Sequence, residues 1–302
     1  MEQYYGELAA LLTAVFWTVT ALAFESASRK VGSLSVNLLR LGTAFIFLSV
    51  YALISRGKAF PVDAGAHQWI WLSLSGLVGF VLGDLFLFQS YVVIGSRISM
   101  LIMSLAPPMA AIIGWLTMDE TLTLKQAIAM AVVLAGIVLV VLERQAPDEN
   151  GNGKRMRFTY PITGILLAFG GALGQAGGLV LSKYGMDGYD VIPSVQIRVI
   201  TGIAGFMIFF TLSNKWRSLI EAVHNGKAMK RLLVGSFFGP FLGVSFSLLA
   251  VKYTSTGVAS ALMSIVPVLI IAPAIIVFKE KITVKELIGA IVTVVGVAIF
   301  FL

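Results

Sequence analysis

The sequence predicts an all-α integral membrane protein: ten transmembrane helices as two inverted five-helix repeats. Three observations carry that prediction, namely an apolar composition, ten stretches of spanning length and an internal repeat. Of the 302 residues, 58 % are hydrophobic and 12 % charged, the charged share being about half that of an ordinary soluble protein. Mean hydropathy is +0.93. These values exclude a soluble globular domain, a disordered chain and a disulfide scaffold. Cysteine is absent, which removes disulfides, thiolate metal sites and cysteine nucleophiles. Two histidines, His67 and His224, cannot build a histidine-rich metal site. The net charge of +7 reads as loop charge that sets membrane topology.

A helix needs about 20 apolar residues to cross roughly 30 Å of hydrocarbon. The first such segment, 7–25, follows Glu2 and Glu7 with no Lys or Arg before it. A signal peptide starts basic, so despite Ala21-Leu22-Ala23 this segment is expected to be a retained helix. Segment two, 34–55, begins after Ser28-Arg29-Lys30, and segment three, 68–91, after Arg56-Gly57-Lys58. Segment four, 97–117, follows Gly95-Ser96-Arg97, a break so short that one long bent helix is the alternative. Asp119-Glu120 precedes segment five, 124–143. Segments six to ten cover 160–182, 191–212, 231–252, 257–278 and 284–302, with Asp187-Gly188 between six and seven. Prolines inside segments four and nine are tolerated in a membrane helix.

Shifting the sequence against itself by 160 aligns residues 79–142 with 239–302 without a gap. Gly79, Gly83, Met103, Ser104, Pro107 and Glu120 then meet identical residues, as do Thr123, Lys125 and Gly136. A shift of 158 brings Gly6, Ala10, Ala14, Arg40 and Thr43 onto Gly164, Ala168, Ala172, Arg198 and Thr201. The chain therefore divides into one five-helix repeat over 1–143, a polar linker over 144–159 and a second repeat over 160–302. Five is odd, so the second copy enters from the opposite face. Such inverted repeats recur in secondary transporters, with the substrate site near the midplane between them.

The pattern Pro107, Asp119-Glu120, Thr123, Gly136 recurs as Pro267, Lys279-Glu280, Thr283, Gly296. It resembles the EamA-like repeat of the drug/metabolite transporter superfamily, in both halves of the chain. Trp17 and Arg40 also stand where that family often has a tryptophan and an arginine. The resemblance implies a ten-helix permease for small metabolites working by alternating access, in a family whose members include exporters of amino acids. This sequence departs from the pattern with Gln175 where the tryptophan is often repeated, with Glu25 where a basic residue is common, and with Asp84, whose repeat partner is Val244.

Asp84 lies about two-thirds along segment three. An acidic group there must face protein or a wet cavity, for proton coupling or a substrate amine. The alternative is a buried aspartate locking segment three to its neighbour. Arg40 and Arg198 lie roughly 9 Å into their helices at 1.5 Å per residue. They read either as snorkelling residues or as clamps for a substrate carboxylate. Inversion is expected to place them near opposite membrane faces. Trp17, Gln175 and Tyr91 could line a cavity or simply pack. The run Gly170 to Gly178 makes segment six thin, for close packing or for bending. Pro107 and Pro267 predict helix kinks that turn nearby carbonyls, with Ser104 and Ser264, toward a cavity. Thr123-x-x-Gln126 and Thr283-x-x-Glu286 read as capping boxes, with Glu120 and Glu280 as helix-end structure.

No catalytic set, phosphate loop or metal-binding acidic pair is found, which points away from an enzyme, ATP drive, cofactors and metals. Basic loops lacking interleaved aromatics point away from nucleic acid. The expected partners are a small-molecule substrate, an amino acid or related zwitterion first, the lipid bilayer and a coupling proton, in a monomer or homodimer. The expected location is a prokaryotic inner membrane. Alternatives are an exchanger of phosphorylated or nucleotide-linked sugars and a non-transporting assembly protein. Loops on the terminal side hold five Lys and Arg against fifteen on the other. The count puts both termini outside, whereas the resemblance implies cytoplasmic termini.

Overall fold

The fold is that of a computed structural model, which describes residues 5–117, 123–144, 156–254, 259, 262–279 and 282–299. In chain order the first half holds α1 (Tyr5–Val31), α2 (Ser33–Arg56), α3 (Ala66–Gly76), a π-helical segment (Leu77–Gly83), α4 (Asp84–Met103), α5 (Ala106–Thr117) and α6 (Leu124–Val141). Two short strands, β1 (Leu142–Arg144) and β2 (Met156–Phe158), pair antiparallel with Glu143 opposite Arg157. The second half holds α7 (Ile162–Met186), α8 (Val191–Leu212), α9 (Trp216–His224), α10 (Gly226–Ser236), a second π-helical segment (Phe237–Gly243) and α11 (Val244–Tyr253). It ends with α12 (Val266–Leu269), α13 (Ile271–Phe278) and α14 (Val284–Ile299).

Among the described residues, six helical stretches are long and apolar enough to span a membrane: Tyr5–Val31, Ser33–Arg56, Ala66–Met103, Ile162–Met186, Val191–Leu212 and Gly226–Tyr253. The other apolar helices, Ala106–Leu116, Ala127–Val140 and Val266–Phe278, are shorter. Large apolar side chains stand out on the surface, among them Ile54 at 81 % exposure, Leu212 at 84 % and Ile276 at 78 %. Water would not tolerate so much exposed apolar area; lipid does. The chain is an integral membrane protein.

Segment three runs without a loop into the first residues of segment four, as one stretch from Ala66 to Met103, and the rest of segment four is α5. Gly95 alone leaves helical geometry inside α4, at φ 81° and ψ 158°. The restart after it is capped from a distance, because the buried Glu25 carboxylate accepts the Ser96 N–H at 2.8 Å. Arg29 holds that carboxylate in place at 2.8 Å.

Glycine decides how closely the helices approach. Along α7, Gly174 and Gly178 face Gly83 and Gly79, and a Cβ on Gly178 would stand 2.9 Å from the Gly79 Cα. Ser75 donates to the Gly178 carbonyl across the same contact at 2.6 Å, the kind of interhelical bond small residues permit in a membrane. The thin run in α7 is thus a packing surface for the first π segment. In the equivalent pairing, α1 against 226–253, side chains of α1 meet the glycines instead. A Cβ on Gly239 would meet Thr20, and one on Gly243 would meet the Trp17 indole. The last helices of the two halves, α6 and α14, also pack on glycine, with Gly136 against Thr293 and Gly296 against Val133.

Two irregularities occur twice, at one spacing. The π segments 77–83 and 237–243 are equivalent under the 160-residue shift. So are the interruptions at Ser104-Leu105 and Ser264-Ile265. The sequence reading expected proline kinks inside segments four and nine; the helices instead stop, and the prolines open the next ones. Pro267 stands in the first turn of α12 and Pro107 in the first turn of α5, where a missing N–H leaves nothing unpaired.

The Thr283 box forms as expected. Thr283 N–H donates to Glu286 Oε2 at 2.9 Å, and Glu286 N–H to Thr283 Oγ1 at 3.2 Å. Glu286 also accepts from Tyr160 at 2.5 Å and pairs with Arg97 at 3.0 Å, tying α14 to α4. Glu120, Glu280 and the Gln126 side chain lie outside the described residues.

Where α2 and α7 end, a polar clasp joins the halves. Asp63 pairs with Arg56 at 2.7 Å and Lys58 at 3.3 Å and accepts from Tyr189 at 2.7 Å, while Arg56 also reaches Asp190 at 3.2 Å. The Tyr189 hydroxyl, with Lys58 and Arg56, holds Asp63 down to about 2. Burial and the Asp63 carboxylate push the Tyr189 phenol up to about 12. A depressed carboxylate stabilises above its ordinary value near 3.9 and loses that contribution as pH falls to its folded value. A raised phenol stabilises below its ordinary value near 10 and loses the contribution as pH rises to its folded value. The clasp is therefore strongest between about pH 4 and 10. The exchange protection of residues 57–65, measured relative to intrinsic amide exchange at each pH, should fall toward pH 2 and toward pH 12. In Tyr189→Phe the acid-side loss should begin at higher pH. Protection that stays constant below about pH 4 would disprove the clasp.

Candidate functional site

Two adjoining cavities lie where the halves meet. The smaller, of about 30 Å³, is lined by Met103, Ser104, Met263, Ser264 and Pro267, with Trp17 and Gln175. It collects both helix interruptions. The larger, of about 70 Å³, is lined by Arg40, Asp84, Tyr91, Phe80, Phe88 and Pro240 and shares Trp17 and Gln175. Both π segments border it, the first through Phe80 and the second through Gly239 and Pro240. π-helical turns are rare and concentrate at functional sites. Here two of them, at equivalent positions, border one cavity.

The charged centre is a network built on α2 and α4. Asp84, the first residue after the first π segment, is paired directly with Arg40. Arg40 Nε donates to Asn37 Oδ1 at 3.1 Å, and Asn37 Nδ2 donates to the Asp84 carbonyl at 3.1 Å. The Arg40 guanidinium carbon stands 4.7 Å from the Phe88 ring centre, 5.6 Å from Phe80 and 5.8 Å from Phe24. Three aromatic faces thus hold a cation in an apolar bundle. Asp84 is accordingly no lone intramembrane charge, and Arg40, 3 % exposed, does not snorkel.

The expectation that Arg40 and Arg198 lie near opposite faces is corrected here. Both reach Phe80, Arg198 at 4.5 Å from the ring centre. Their helices, α2 and α8, pack on each other. Each arginine starts about two turns inside its helix, and its long stem covers the remaining distance to the middle.

The remaining expected residues fall as follows. Trp17 and Gln175 are half-buried and border both cavities. Tyr91 is buried, stacks on Phe88 at 5.4 Å and donates to Met100 Sδ at 3.3 Å. Ser104 Oγ is buried with no hydrogen-bond partner and borders the smaller cavity, as does Ser264. Sequence reasoning missed Asn37, the aromatic cage of Phe24, Phe80 and Phe88, and Glu25 as a cap. The doubled glycine pairs Gly79/Gly83 and Gly239/Gly243 were the one available sign of the π segments. Among the described residues no group of three metal-ligating side chains occurs.

The sequence pattern of the EamA-like transporter family matches residues 4–142 and again residues 162–302. The chain belongs to the EamA-like transporter family. Its two repeats are thus family repeats, and the protein is a membrane transporter of the drug/metabolite type. Comparison with curated proteins returns no match. A solved crystal structure, described only as that of a protein, is similar with a TM-score of 0.63 over 97 % of this chain and 95 % of the other, at 16 % identity. At that identity the likeness is one of fold. For an EamA-like transporter, the doubled π segments and doubled interruptions mark where the two family repeats face each other.

Proposed function

We propose that this EamA-like protein is a secondary transporter, independent of ATP, that carries a small polar or amphipathic metabolite by alternating access. An amino acid or related zwitterion is the favoured substrate. The reading takes the chain as ten crossings in two inverted five-helix units, 1–143 and 160–302, joined by 144–159, in a prokaryotic inner membrane. The single observation that supports it is the cavity bordered by both π segments and centred on Arg40 and Asp84. A charged pair in an otherwise apolar bundle is costly and is found where solutes or protons pass. Asp84 is the proton-coupling residue in this reading, releasing Arg40 when it is protonated. Ligand pockets usually measure about 300–1,000 Å³, so the cavities of about 30 and 70 Å³ must widen for a metabolite to pass.

The test is counterflow in proteoliposomes holding the purified protein alone, with amino acids and sugar phosphates as solutes, with and without a pH gradient. Gradient-driven amino acid uptake is the expected result. Uptake of sugar phosphates instead would favour the exchanger. No flux of any solute would favour an assembly protein.

A further inference from the structure

Arg198 is the buried cation that the charged network leaves over. It is 4 % exposed. Its Nε has no hydrogen-bond partner, and it enters none of the ion pairs among the described residues. Its guanidinium occupies the space a side chain at Gly79 would need, 3.2 Å from a Cβ built there, and lies over the Phe80 ring at 4.5 Å. Arg40, on the same ring at 5.6 Å, is by contrast supplied with a carboxylate by Asp84 and an amide by Asn37. The group Asn37, Arg40, Asp84 and Arg198 therefore carries two cations and one anion. The Asp84 carboxylate acts on Arg198 only through space while pairing directly with Arg40, so two buried cations share one anion, and an aromatic face replaces only part of the lost hydration. The site is short of one negative charge.

We infer that Arg198 receives the carboxylate of the transported molecule, and that Phe80 is the side chain that separates it from the cavity. The inference rests on the transporter reading and deepens it. It moves carboxylate recognition from Arg40, which is occupied, to Arg198, and it names the substrate class as monocarboxylates. The shortfall is one negative charge, which one carboxylate supplies, on a monoanion or on an amino acid whose ammonium stays outside this group. A planar guanidinium matches a carboxylate in two parallel hydrogen bonds. Phe80 borders the cavity on one side and Arg198 on the other. It sits in the middle of the first π segment, where the backbone departs from α geometry and a small change of register swings the ring. Gly79, beside it, leaves the guanidinium room to follow.

The test uses the full chain in detergent, with thermal unfolding followed as leucine, isovalerate or leucinamide is titrated. Leucine and isovalerate should raise the unfolding temperature of the wild type and leucinamide should not. Arg198→Gln should raise the half-saturating leucine concentration about tenfold or more, the worth of a charged hydrogen bond. Arg198→Lys keeps the charge and should retain weakened binding, which separates recognition from misfolding. Phe80→Ala should lower the half-saturating concentration. Equal protection by leucinamide, no protection by any carboxylate, or unchanged leucine binding in Arg198→Gln would each overturn the inference. Carboxylate binding that depends on Arg198 without counterflow would instead overturn transport and leave the anion site standing.

Discussion

Asp84→Asn and Asp84→Ala are both expected to abolish coupled transport, but only the alanine variant should also destabilise the protein strongly. Asparagine still accepts a hydrogen bond from Arg40 and removes only the charge. Alanine removes both and leaves a guanidinium, itself 3 % exposed, with Asn37 and the aromatic cage. Breaking a buried ion pair from one side typically costs 3–5 kcal/mol. The Asp84 side chain keeps 14 % exposure, so about 3 kcal/mol, the lower end, is expected. Replacing the pair together, as Arg40→Met with Asp84→Leu, removes the stranded charge, and the double variant should unfold near the wild-type temperature while remaining inactive. Thermal unfolding in detergent beside pH-driven counterflow separates the two effects. Full flux in Asp84→Asn would make the pair a structural lock. A double variant no more stable than Asp84→Ala would mean that the pair itself stabilises the bundle.

Gly174→Ala should have one of the large packing effects among single added methyl groups at the described glycines. A Cβ there would stand 2.9 Å from the Gly83 amide nitrogen and 3.0 Å from the Val78 carbonyl oxygen. Both are backbone atoms of the first π segment and cannot rotate away, so α7 must move off that segment. Overpacking of this kind costs about 1–3 kcal/mol. The shift would also disturb Gln175, the neighbouring cavity residue. Gly42→Ala is the contrast: it lies in α2 with nothing within 4 Å of a built Cβ. It should be neutral or stabilising by up to about 1 kcal/mol through helix propensity. Unfolding temperatures of the two variants decide the matter, and equal temperatures would refute the close approach.

The membrane class and both repeats were legible in the sequence because hydropathy and self-similarity are properties of chain order. The candidate site was legible in part. Asp84, Arg40, Trp17 and Gln175 stood out as polar or bulky residues in apolar helices, and the structure sets all four at one cavity. Their partners did not stand out. Asn37 reads as an ordinary polar residue until it bonds both Arg40 and Asp84. Phe80 is one of 20 phenylalanines, given meaning only by the two arginines against its ring.

Composition, segment spacing and the 160-residue repeat thus determined by themselves that this is a membrane protein of two related halves. Tertiary structure alone decided that Arg40 pairs directly with Asp84 while Arg198, among the described residues, does not, that both meet one aromatic ring, and that two π segments border one cavity. The reason is physical. Burial in lipid is dictated by the apolar content of each stretch taken singly. Pairing between charges depends on how far side chains reach across a helix contact, and that distance is set by glycines and packing from elements more than a hundred residues apart.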